Sequence, residues 1–107
     1  MGAPVDVRDR PLPTGDVTFL LADIEGSTEL FRRVGDETYR VVLNDYRALL
    51  RGALAAHGGA EVSTQGDGLL AAFPNRAAAA RAALDAQRAL GAHPWPAHAQ
   101  VSARMGL

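Results

Sequence analysis

V-T-F-L-L-A-D-I-E-G-S-T, residues 17–28, begins as a short, β-branched and largely apolar run and breaks at an acid and a glycine. Residues 17–24 read as a strand buried on both faces. Asp23 stands at its end, Gly26 relaxes the backbone, and Ser27 or Thr28 can cap a short helix over 28–34 that Gly35 stops. Asp36 then caps a longer helix to about residue 56. Its apolar positions Val42, Leu43, Tyr46, Leu49, Leu50, Ala53 and Leu54 keep three-and-four spacing. His57-Gly58-Gly59 ends it.

Two short strands follow, over 60–64 and 69–73, joined by Q-G-D-G at 65–68, a tight hairpin turn. Asn75 caps a helix over 76–90, with Ala79, Ala83, Leu84, Ala86, Gln87 and Leu90 near one face. Residues 99–107 alternate as a last strand. Residues 1–15, with Pro4, Pro11, Pro13 and Gly15 among charges, read as a flexible, unpacked leader, and residues 16–107 as the domain.

Strand, helices, hairpin, helix, strand is the order of a ferredoxin-like split β-α-β core. This is an α+β fold, an antiparallel sheet with helices on one face. The handedness of crossovers sets the first two strands parallel, with the third between them and antiparallel. The hairpin turn then lies at the end of the sheet where the first strand finishes. Asp23 and Asp67, forty-four residues apart in sequence, become neighbours.

Two carboxylates on adjacent backbones suit a hard divalent cation that completes its shell with phosphate oxygens. The E-G-S-T turn would aim the amides of a helix start at those phosphates. Each acid alone also fits a plainer role, Asp23 as a first-turn charge and Asp67 as turn chemistry.

Composition removes other classes. Eleven basic residues against twelve acidic ones leave no basic excess for nucleic acid. All eleven are arginine. No cysteine is present, which excludes disulfides and thiolate metal sites. No apolar run reaches a membrane span, and residues 1–13 lack a signal-peptide core. Gly2 follows Met1 but Asp6 breaks the myristoylation pattern. A cytoplasmic segment is expected. His57, His93 and His98 lack ligand spacing and read as cap, loop or surface residues. Trp95, between prolines, reads as loop packing, and Ser27 has no His-acid partner for a nucleophile role.

Residues 17–28 resemble the opening of class III adenylyl/guanylyl cyclase domains, and S-T-Q-G-D-G-L-L-A-A-F-P (63–74) resembles their second metal motif. H-G-G (57–59) and V-S-A-R-M-G-L (101–107) fall where that family has them, so the resemblance covers about residues 15–107. It implies that Asp23, Asp67 and the carbonyl of Ile24 bind two Mg²⁺ or Mn²⁺ ions. It implies that the amides of Glu25, Gly26, Ser27 and Thr28 hold a triphosphate, with no catalytic residue beyond the metal ligands. The implied substrate is ATP or GTP, cyclised to a 3′,5′-cyclic nucleotide and pyrophosphate in signal transduction. The implied partner is a second copy or another cyclase-type domain.

Two departures qualify this. The family's purine-reading lysine is replaced by Ser63, a shorter and uncharged group. The family's later purine-contacting and Asn-Arg elements would lie beyond Leu107, so this chain alone is expected to be inactive. The alternative is a non-catalytic nucleotide-binding or dimerisation module regulating an attached domain, or an inactive fragment. The diguanylate cyclases share the core, but their Gly-Gly-Asp/Glu-Glu-Phe hairpin is not matched by Q-G-D-G-L.

Overall fold

A computed structural model describes residues 5–97 and 99–107; the expectations placed on residues 1–4 and on His98 lie outside them. The elements are β1 (Thr18–Ile24), α1 (Ser27–Val34), α2 (Asp36–Ala56), β2 (Ala60–Gln65), β3 (Gly68–Phe73), α3 (Arg76–Ala92) and β4 (Ala103–Gly106). The sheet order is β2-β3-β1-β4. β3 runs antiparallel to both β1 and β2, and β4 antiparallel to β1. β1 and β2 are therefore parallel with β3 between them, as the split β-α-β order requires.

β1 alternates where burial on both faces was expected. Leu20, Ala22 and Ile24 are buried, while Phe19 and Leu21 are 49% and 55% exposed. The reason is that the helices cover one face only. On that face Leu69, Ala71 and Phe73 of β3 join Val42, Tyr46, Leu50 and Leu54 of α2 and Ala79, Ala82, Ala86 and Leu90 of α3 in one core. Each large side chain buried there contributes roughly 1.5–3 kcal/mol. The α3 face is rotated from expectation: Ala82 is buried, whereas Leu84 is half exposed. Small alanines let the helix lie close to the sheet.

Several local signals hold, and others are reassigned. Asn75 caps α3, its Oδ1 accepting from the amide of Ala78 at 2.8 Å. Neither Ser27 nor Asp36 acts as a side-chain cap; Gly26 and Gly35 precede those helices at positive φ. α3 runs on to Ala92, and β4 is shorter than expected because it pairs only with residues from Leu21 to Ile24. Val7, inside the supposed unpacked leader, is fully buried, and its carbonyl accepts from Glu61 N–H at 2.8 Å. That apolar side chain closes the core beside the edge strand β2.

Gly59 lies against the Phe73 ring, where an added Cβ would sit 2.7 Å from a ring carbon. The second glycine of H-G-G is thus required by close packing. Two histidines tie the antiparallel α2 and α3 together. His57, the C-cap of α2, bonds Asp85 at 2.6 Å, and His93, the C-cap of α3, bonds Asp45 at 3.0 Å. Trp95 packs on the core and donates from Nε1 to Leu90 O at 2.9 Å.

Candidate metal and phosphate edge

The β1–β3 register pairs Ala22 with Leu69. Continued by two residues, it sets Asp67 opposite Ile24. Asp67 lies in the two-residue turn between Gln65 and Gly68, where Gly66 takes the positive φ (56°) that so short a hairpin needs. Its Oδ2 accepts from the Ile24 amide at 2.8 Å. This hydrogen bond brings the two acids to one edge: Asp67 is fastened to the residue that follows Asp23. Arg47 of α2 donates to the Gly66 carbonyl and braces the turn from the helix side.

Asp23 points to the uncovered face. There its register partner on β4 is Arg104, whose guanidinium grips it with two bonds of 3.0 and 3.2 Å. The pair is part exposed, 66% for Arg104 and 35% for Asp23, so solvent screens it and it contributes little to stability. The hydrogen bond to Asp23 raises the Arg104 pKa above its usual range. Sequence reasoning missed this arginine. Only its register against Asp23 signals it, and register needs the strand pairing.

Beneath the edge, the Tyr46 hydroxyl is buried and has no hydrogen-bond partner among the described residues. Burial, then the nearby charges of Asp67 and Asp23, push its pKa far above the ordinary phenol value. Tyr39 is raised by burial and by Asp67, while a hydrogen bond with Ser27 works the other way.

Of the four amides expected to hold a triphosphate, that of Glu25 is engaged within the chain. Glu25 N–H already donates to Ser102 O at 2.7 Å, because the segment before β4 passes beside the turn. The first helical bond of α1 runs from Leu30 N–H to Gly26 O. The amides of Ser27, Thr28 and Glu29 therefore lack intrahelical acceptors. Ser63 is exposed on β2, just past a bulge between Glu61 and Ser63. No hydrogen bond among the described residues joins it to Asp23 or Asp67.

The donors fit a hard cation of a particular kind. No group of three or more His, Cys, Asp or Glu side chains among the described residues is arranged as a metal cage. Two carboxylates and a main-chain carbonyl at Ile24 are oxygen donors that leave most of the shell to phosphate and water, as Mg²⁺ prefers.

No family model matches the chain. An adenylate cyclase of Lachancea kluyveri is 34% identical over 84 residues, which take in 78% of this chain and 4% of that protein. The guanylate cyclase domain from Catenaria anguillulae, solved in complex with GTP, superposes with a TM-score of 0.74 at 21% identity, over 84% of this chain and 53% of that one. This chain resembles part of a class III nucleotidyl cyclase catalytic domain. The cyclase-like fold extends to the active GGEEF domain of a diguanylate cyclase from Vibrio cholerae, with a TM-score of 0.69 at 14% identity, over 84% of this chain and 59% of that one. The chain thus spans about 4% of the length of the curated adenylate cyclase it matches. No helix among the described residues is long and apolar enough to cross a membrane.

Proposed function

We propose that this cyclase-like domain supplies the metal and triphosphate half of a site that cyclises ATP or GTP. The single observation that carries the reading is the 2.8 Å bond from the Ile24 amide to Asp67, which gathers both acids at one edge. Asp23, Asp67 and the Ile24 carbonyl would hold Mg²⁺ or Mn²⁺, which supplies Lewis-acid charge at the phosphates. The amides of Ser27 and Thr28, at the positive end of α1, orient the triphosphate. In the reaction the ribose 3′-oxygen bonds to the α-phosphorus and gives its proton to solvent water. The bond to the β-phosphate oxygen breaks, releasing pyrophosphate and a 3′,5′-cyclic nucleotide. The purine-contacting and Asn-Arg groups would come from another cyclase-type domain that carries them.

A second reading is a module that binds nucleotide or dimerises without catalysis. Arg104 favours it, because a guanidinium already neutralises Asp23 without any metal. One set of Mn²⁺-nucleotide titrations tests both. Under the first reading Asp67→Ala and Asp23→Ala each weaken binding at least tenfold, about 1.4 kcal/mol. Arg104→Gln tightens Mn²⁺ binding severalfold when no nucleotide is present, by freeing Asp23. If none of the three substitutions changes affinity, the edge is not a metal site.

A further inference from the structure

We propose that the groove between the N-terminal segment and α2 is a separate anion site, one that takes a phosphate group. The groove has a volume of about 490 Å³ and is lined by Asp6, Arg8, Asn44, Arg47, Arg51 and Gly52 among others. That volume lies within the range of small-molecule sites. Two of its three guanidiniums are already matched. Arg8 pairs with Asp6 at 2.8 Å, and Arg51 forks onto Glu61 at 2.8 and 3.2 Å.

Arg47 has no carboxylate partner among the described residues. Its one hydrogen bond there goes to the neutral Gly66 carbonyl, and its Nε is buried with no acceptor. A guanidinium carries five N–H donors in a rigid fork. A buried donor without a partner costs free energy that a new acceptor recovers. Phosphate offers three charged oxygens, enough for two Arg47 donors and the amide of exposed Asn44 beside it. A carboxylate offers only two. The site therefore favours phosphate over carboxylate.

The placement has a second consequence. The carbonyl that Arg47 holds belongs to the residue before Asp67. An anion that turns the guanidinium into the groove releases Gly66, and with it the brace on the turn. This coupling rests on the reading of Asp67 as a metal ligand; the binding itself does not.

The test is a titration of the full 107-residue chain with inorganic phosphate, at constant ionic strength and without divalent metal, followed by amide chemical shifts. Saturable shifts at Asn44, Arg47 and Gly66 are expected, with acetate at least tenfold weaker. Adenosine monophosphate in place of phosphate shows whether the groove also accepts an organic ester; tighter binding marks the ester as the ligand, equal binding the free anion. Arg47→Gln should weaken binding at least tenfold, Arg47→Lys less, and Asp23→Ala not at all. The wild-type titration alone can overturn the proposal, since it needs no variant to fold. Shifts that never saturate, shifts confined to residues 25–28, or acetate equal to phosphate would each do so. Should metal binding at Asp23 and Asp67 fail while these shifts persist, the groove stands and only its link to the edge falls.

Discussion

On one face of the sheet Leu20, Ala22 and Ile24 are buried among side chains of α2 and α3; on the other, Phe19 and Leu21 of the same strand are about half exposed. The residue types hardly differ. What differs is cover, and cover comes from where the helices lie. The same alternation carries Asp23 to the open face, where Arg104 and solvent reach it, and leaves Ile24 in the core with only its backbone offered to Asp67. An apolar strand that is bare on one side thus delivers its terminal acid to a wet, accessible position. Apart from the Tyr46 hydroxyl, the core among the described residues is built of apolar side chains.

The sharpest way to break this contrast is a matched pair of truncations. Leu20→Ala should cost about 2–5 kcal/mol in urea unfolding, since it opens a cavity under the helices. Leu21→Ala should stay within about 0.5 kcal/mol. Comparable losses for the two would mean that the open face is covered in solution. Next in size is Gly59→Ala, expected to cost about 1–3 kcal/mol because its methyl meets the Phe73 ring at 2.7 Å. Phe73→Leu in the same chain should recover part of that loss, and no recovery would place the cost elsewhere.

The smallest effect concerns acid. Arg51, with help from Thr64, holds the Glu61 carboxyl below the usual carboxylate range. A depressed folded pKa stabilises the fold above the unfolded value, near about 4.3, and the contribution is lost as pH falls through the folded pKa. Glu61→Gln should therefore lower stability by about 1 kcal/mol or less at neutral pH. The variant and the wild type should converge as pH falls through the lowered folded pKa of Glu61. A gap that stays constant from pH 7 to pH 2 would show that the ion pair contributes nothing.

Sequence made the periodic and local features legible. Q-G-D-G announced its hairpin, Asn75 its helix, and the element order placed Asp67 beside the end of β1. Contacts that depend on the third dimension were not legible. Val7 reaches the core past a segment rich in prolines and charges, Arg104 meets Asp23 through a register eighty-one residues away in sequence, and Ser102 takes the Glu25 amide. The bare face of β1 was misread for a related reason. An apolar run states that burial would be favourable, not that a partner layer is present to provide it.

The two histidine bonds between α2 and α3 have a mechanical meaning. One joins the end of α2 to the middle of α3, the other the end of α3 to the middle of α2. Two struts at different heights stop the helices from pivoting as well as from sliding. The Gly66 turn is joined to the same helix layer through Arg47, and Gly26 leads directly into α1, so a displacement at either turn reaches the helices.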